Sequence, residues 1–300
     1  MTPFTSRTSR ALLACATACF FLGCASDGPG AEAPKPTCKE QEGTVEVGKL
    51  GDPDLKEASG LAPSFTQSDL LWSHNDSGDE ARVFALGKNG RARGQVHFDG
   101  VSAVDIEDIA VGREGTRTYI YAADIGDNLT ARTELFIYRI EEPRVPDAPI
   151  DLHVAADVMT FTYEGGTPHD AETLLVDPRT LELFIVTKER ARGQLYRLGP
   201  FVKGTGSAKL MKDVPVDTAT GGSFSPDGKS VVIRDYSGTA KLWSVGASQS
   251  LADALSSTPC PVALGLDLQG EAICFDSDSR RIFTTSEGKF APLHRTDPAP

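Results

Sequence analysis

The stretch "FSPDGKSVVIRDYSGTAKLWSV" (residues 224–245) decides the fold. Its Ser-Pro-Asp-Gly segment is turn chemistry: Pro presets φ, Asp bonds its own backbone and Gly accepts positive φ. The run KSVVIRD is β-branched, short and bounded by turns, so it reads as a strand. A second turn and the apolar run AKLWSV follow. The same grammar recurs along the chain. TYIYAAD, ELFIYRI, LELFIVTK and RRIFTTSE are β-branched or aromatic runs, with GREG, DPRT and DSDS between them as hairpin turns. No long amphipathic helical pattern interrupts them, so the chain is expected to be all-β.

The pattern also has a period. SGLAPS at Ser59, EDIAVG at Glu107, ETLLVD at Glu172, GSFSPD at Gly222 and EAICFD at Glu271 align as a small or polar residue, an apolar strand, a turn and a second strand. Their spacings are 48, 65, 50 and 49 residues. The long interval holds EEPRVPDAPIDLH, which reads as an insertion. Four strands in about fifty residues make one blade of a β-propeller. Five starts predict five four-stranded blades, with six as the alternative. Residues 224–245 resemble a WD40 blade, including the Trp243 position; the other repeats lack that signature.

The last repeat, Gly270 to Pro300, has room for about three strands. GTVEVGKL (residues 43–50) is expected to supply the missing outer strand and close the ring from the N-terminus. Cys38 then precedes that strand, and Cys260 precedes the outer strand of the neighbouring fourth blade. A Cys38–Cys260 disulfide would lock the closure, with a denatured-chain entropy term of about 4–5 kcal/mol. Cys274, inside EAICF, is expected to be a buried small hydrophobe.

Arg7 and Arg10 precede an apolar run from Ala11 to Leu22, too short to span a bilayer as a mature helix. It ends in FFLGC, which resembles the lipobox of bacterial lipoproteins, with Phe21 where Leu is usual. The resemblance implies a signal peptide over 1–23, removed together with Cys15 and Cys19, and a lipidated Cys24. An ordinary secretory signal is the other reading. Residues 24–42, rich in Ala, Gly and Pro, read as a flexible tether, and 43–300 as the propeller domain. The expected address is the cell envelope, with the chain held to a membrane through Cys24. The lack of Asp at position 25 agrees with the outer membrane.

The full chain carries a formal net charge of −12, and residues 1–23 contain two Arg and no acid. The mature protein is more acidic still, a poor candidate for nucleic acid. A monomer is expected, with an unknown small molecule or envelope protein as partner.

In a propeller, the start of each innermost strand and the end of the second strand gather at one mouth of the axial channel. Strand-one starts give Glu57, Ser59, Glu107, Asp108, Asp170, Glu172, Gly222 and Glu271. Strand-two ends give His74, Asn75 and Asp76 from HNDSGD; Asp124, Asp127 and Asn128 from DIGDN; Lys188; Arg234 and Asp235; and Glu287. Crowded carboxylates need a cation, a base or a shared proton. The arrangement resembles calcium-dependent propeller hydrolases, namely gluconolactonases, paraoxonase-type enzymes and β-propeller phytases. That resemblance implies Ca²⁺ as cofactor, with Asp76, Asp124, Glu107, Glu172 and Glu271 as metal ligands. It makes His74 or His169 the proton carrier. Asn75, Asp108, Lys188 and Arg234 complete the binding set. Those families usually have six blades. The segments WSHNDSG, EDIAVG, ADIGDN and GEAI also look like a group of secreted bacterial propellers without assigned activity.

Several chemistries are absent from the sequence. There is no G-x-S-x-G elbow, no Cys/His zinc spacing, no phosphate loop and no dinucleotide fingerprint. Glu107, Glu172 and Glu271 paired with Lys188 and Arg234 in a structural ion network is the plain alternative to a metal site. DIGDN reads more simply as a polar turn, and His97 and His153 as surface residues. Two functions remain: a tethered binding module with an acidic, cation-binding mouth, which is preferred, and a metal-dependent hydrolase of esters, lactones or phosphate esters.

Overall fold

The computed structural model describes Cys38, residues 41–265 and residues 269–298. The signal segment 1–23, the anchor Cys24 and tether residues 25–37 lie outside the described residues. The described chain is all-β. In chain order the strands begin with β1 (Gln41–Lys49), β2 (Ala58–Pro63), β3 (Leu70–Asn75), β4 (Arg82–Gly87) and β5 (Ala92–Asp99). β6 (Ile106–Glu114), β7 (Arg117–Asp124), β8 (Leu135–Glu141), β9 (Ile150–Ala155) and β10 (Asp157–Tyr163) follow. Then come β11 (Ala171–Val176), β12 (Glu182–Thr187), β13 (Gly193–Pro200), β14 (Gly204–Val214), β15 (Ala219–Phe224), β16 (Ser230–Asp235) and β17 (Ala240–Ser244). After the single-turn helix α1 (Leu251–Ala254), the chain ends in β18 (Cys260–Val262), β19 (Gly270–Phe275), β20 (Ile282–Ser286) and β21 (Pro292–Pro298).

The strands form four sheets. Their orders are β1-β21-β20-β19, β2-β3-β4-β5-β9, β15-β16-β17-β18, and an eight-stranded sheet β11-β12-β13-β14-β10-β8-β7-β6. The large sheet is two four-stranded antiparallel halves joined where β10 runs parallel to β14. The strands at the inner edges pack in a cycle: β2 on β6, β6 on β11, β11 on β15, β15 on β19, and β19 back on β2. All six residues of β2, of β11 and of β19 are buried, as expected of strands covered on both faces. Apolar clusters fill the spaces between successive sheets. One joins Trp72, Val83 and Val96 to Ile109, Ile120 and Tyr138. Another joins Leu50, Leu71 and Phe84 to Ala272, Cys274 and Phe283.

The stretch 224–245 folds as its turn residues dictate. Ser225 Oγ accepts the Ser230 amide, Gly228 sits at φ +69°, and Trp243 is buried with its indole donating to Ser257 O at 3.1 Å. The N-terminal strand β1 pairs antiparallel with β21, at the outer edge of the last sheet. Cys38 and Cys260 are disulfide-bonded across a separation of 222 residues. Cys274 is free and buried.

The insertion after β8 is more than a loop. Its Ile-Asp-Leu-His-Val-Ala run alternates half-buried and exposed residues, and it adds β9 in parallel to β5 at the outer edge of the sheet begun by β2. A period-2 run next to an open strand edge has backbone groups to satisfy, and pairing satisfies them.

Candidate functional site: a cluster of buried carboxylates

Each inner strand starts with the same irregularity. The register against its partner shifts between Ala58 and Leu61, Ile106 and Asp108, Ala171 and Thr173, Ala219 and Gly221, and Gly270 and Ile273. These are β-bulges, which leave one residue unpaired and re-aim its side chain. The bulge falls at Glu107 in β6, Glu172 in β11 and Thr220 in β15, and spans Ser59–Gly60 in β2 and Glu271–Ala272 in β19. The spacing of the sequence repeats pointed to Gly222 in β15. The bulge register selects Thr220, two residues earlier.

Glu107, Glu172 and Glu271 are 2 %, 2 % and 5 % exposed, yet each has one carboxylate oxygen, Oε2, with no hydrogen-bond partner in the protein. Asp76 Oδ1 and Asp105 Oδ1 are buried in the same condition. Ligand oxygens of Asp76, Asp105 and Glu107 lie within 4.8 Å of one another, and so do those of Asp76, Glu271 and Glu287. Asp76 is shared by both groups and sits at their junction. Buried carboxylates are normally hydrogen-bonded, because desolvation without a partner is costly.

The electrostatics express this crowding. Burial, then Glu172 and Asp76, push the Glu107 carboxyl well above its ordinary range. Burial, then Glu287, lift Glu271 to about 7. Burial, then Asp76, lift Asp105 to about 6. Glu172 is raised by burial against the opposing pull of Lys188, whose ammonium pairs with Glu172 Oε1. Burial works against the Lys188 charge, but Glu172, Glu271 and Glu107 more than offset it and hold the ammonium protonated. One lysine thus faces several acids.

Gly126 shows how tightly two of them converge. A Cβ there would lie 2.2 Å from Glu107 Oε1 and 2.4 Å from Asp105 Oδ2. Gly126→Ala is expected to displace both carboxylates and cost roughly 1–3 kcal/mol in overpacking. Urea unfolding would check this, and a change below about 0.5 kcal/mol would contradict the geometry.

The other sequence-predicted residues serve the frame. Asn75 accepts the Lys56 and Glu57 amides and donates to Asp54 O and Asp79, so its amide pins the loop before β2. Asp124 is fully buried and takes the Val104 and Asp105 amides, the Tyr138 hydroxyl and Arg132. Both its oxygens are committed to the DIGDN corner. Arg234, fully buried, donates to the carbonyls of Ala272 and Thr285. Asp108 spans three inner strands: it accepts the amides of Ile109 in β6, Leu174 in β11 and Gly222 in β15. Asp108→Asn would set an NH₂ against those donors. A loss of roughly 2–4 kcal/mol is expected in chemical denaturation; a change under about 1 kcal/mol would contradict the bridging role.

Neither histidine is placed as an open proton carrier. His74 is fully buried, with Nδ1 2.7 Å from Asn75 O, and burial lowers its pKa to about 4, so the ring is neutral. His169 has both nitrogens engaged, Nδ1 with Glu189 at 2.7 Å and Nε2 with the Tyr196 hydroxyl at 2.9 Å. Its ring packs edge-on to Tyr163. A cavity of about 420 Å³, lined in part by Thr130, Arg132, Phe161, Tyr163 and Pro168, opens beside that aromatic group and not among the acids. None of the partnerless carboxylates lines it, so the cavity and the carboxylate cluster are separate features.

Sequence reasoning found Glu107, Glu172, Glu271 and Asp76, and listed Glu287 only as a strand end. It missed Asp105, Thr220 and Gly126. Asp105 had one available signal: it lies two residues before a bulged Glu in an acidic run, DIED.

No protein-family model and no curated protein matches the chain. Among solved structures, it is similar to a candidate 6-phosphogluconolactonase from Bacteroides uniformis. The TM-score is 0.42 and the identity 13 %, over 81 % of this chain and 68 % of that one.

Proposed function

We propose that the chain is a five-bladed β-propeller whose axial mouth binds a hard divalent cation, Ca²⁺, and serves as a binding module. The cycle of inner strands supports the five-blade reading, with each half of the eight-stranded sheet as one blade and β1 as the closing outer strand. The observation that carries the cation reading is the group of partnerless, buried oxygens on Asp76, Asp105 and Glu107, joined through Asp76 to Glu271 and Glu287.

The donor set fits calcium. Ca²⁺ takes six to eight oxygens at about 2.3–2.6 Å, so oxygens on opposite sides of it stand roughly 5 Å apart. All the donors are oxygen, which disfavours softer metals. Asp76, Asp105 and Glu107 would hold the ion, with Glu271 and Glu287 beside them. Bound there, the cation would neutralise the clustered charge and offer polarised positions to an oxygen-rich small molecule or an envelope protein.

The hydrolase alternative has less support, because His74 is buried and His169 is tied at both nitrogens. The signal-like and lipobox-like residues 1–24 support export and anchoring through Cys24, and the Cys38–Cys260 bond suits an oxidising compartment. Elemental analysis of purified protein, with melting curves in Ca²⁺ and in chelator, tests the reading. Retained calcium and a chelator-sensitive melting temperature are expected. Protein that holds no divalent ion and melts identically in both conditions would refute it.

A further inference from the structure

Among the described residues, a second group of metal-type donors lies at the outer edge of the sheet begun by β2, far along the strand order from the mouth. β5 and β9 run parallel in register there, with His97 opposite His153. The two imidazoles stack with centroids 4.5 Å apart and planes 10° from parallel. Asp151, two residues before His153 and on the same exposed face of β9, brings Oδ1 to 3.0 Å from His97 Nε2. One ligand atom from each of His97, Asp151 and His153 lies within 4.8 Å of the others.

A carboxylate behind the His153 ring orients it. Asp99 Oδ1 is 2.8 Å from His153 Nδ1, and Glu80 Oε1 is 3.4 Å from His97 Nδ1. Asp99 thus holds the His153 ring through Nδ1 and leaves its Nε2 able to ligate, while His97 turns Nε2 toward Asp151. That is the outer-shell arrangement of metal-binding histidines, where the carboxylate fixes the tautomer and strengthens the donor.

We propose that His97, His153 and Asp151 form a surface site for a borderline divalent transition ion, of which Zn²⁺ is the probe. Two nitrogens and one carboxylate suit Zn²⁺, Cu²⁺ or Ni²⁺ and not Ca²⁺. Three protein donors leave further positions to solvent or to a ligand from outside. The site exists only because the insertion folds back as β9, so it gives that insertion a role. It is independent of the axial reading.

The full chain, stripped of metal and held in excess Ca²⁺ to saturate carboxylate-only sites, would be titrated with Zn²⁺ by calorimetry. One saturable Zn²⁺ is expected. The His153 side chain is 61 % exposed, so His153→Gln should fold normally by circular dichroism and bind at least about tenfold more weakly. Asp99→Asn, which touches no metal, should weaken binding roughly 10–100-fold. Co²⁺ in place of Zn²⁺ should give a visible absorption band that His153→Gln removes. Zn²⁺ binding unchanged in His153→Gln, or no saturable binding by the wild type, would overturn the proposal.

Discussion

Removing the Cys38–Cys260 bond, through a Cys38→Ser/Cys260→Ser variant, is expected to lower the unfolding free energy by roughly 3–5 kcal/mol. The bond closes a loop of 222 residues, and the entropy it removes from the unfolded chain grows with loop length. Its position adds a native-state reason. β1 is the outer edge strand of the last sheet. It pairs with β21, where Thr44 bonds Thr296, and the Thr44 hydroxyl donates to Ala263 O across the seam just after β18. The disulfide ties the segment before β1 to the first residue of β18, in the adjacent sheet. Without it, β1 can fray and the cycle of inner strands can open at β19. Equilibrium denaturation of oxidised and variant protein would read the difference. A loss below about 1 kcal/mol would show that strand pairing alone holds the seam.

The second large effect is on pH. Glu271 is held up to about 7, Asp105 to about 6, and Glu107 and Glu172 are raised as well. A carboxyl with a raised folded pKa binds more protons in the folded state than in the unfolded one. Its stabilisation is therefore present at low pH and lost as pH rises through the folded value. His74 acts in the opposite sense: its folded pKa is lowered to about 4, so its contribution is lost as pH falls from 6.5 towards 4. The two effects oppose each other below pH 6.5, and only the acids act above it. In chelator, stability is expected to fall by roughly 1–3 kcal/mol as pH rises from about 6.5 to about 8.5. Ca²⁺ should flatten that slope, because a bound cation favours the ionised carboxylates. Stability that is flat or rising with pH in chelator would contradict the proposed state of the mouth.

Much of the fold was legible in the sequence because strand and turn chemistry are local. KSVVIRD and SPDG announce themselves within ten residues, and the recurrence of that unit exposes the repeat. The pairing of residues 43–50 with the last sheet followed from a count of strands. The register at the inner strands was not legible. The bulge in β15 falls at Thr220, two residues before the Gly222 that the repeat spacing selects, and no local signal marks its place. Asp124 and Asn75 carried the right chemistry but proved to be committed to backbone amides, a fact that depends on loop closure and not on residue type. The His97–His153 pair was invisible for a different reason. It needs a parallel pairing between β5 and a strand hidden in a Pro-rich insertion, and nothing local specifies that partner.

Calorimetric titration of the metal-stripped protein with Ca²⁺ at about pH 8, beside Glu107→Gln, bears most directly on the acidic mouth. The Gln variant keeps the shape and removes one charged donor among the partnerless oxygens. Saturable Ca²⁺ binding by the wild type is predicted, with stabilisation of about 4 kcal/mol when free Ca²⁺ is a thousandfold above Kd. Glu107→Gln should remain folded and lose most of that affinity. Equal Ca²⁺ binding by both proteins, or none by the wild type, would contradict a cation site built on Asp76, Asp105 and Glu107.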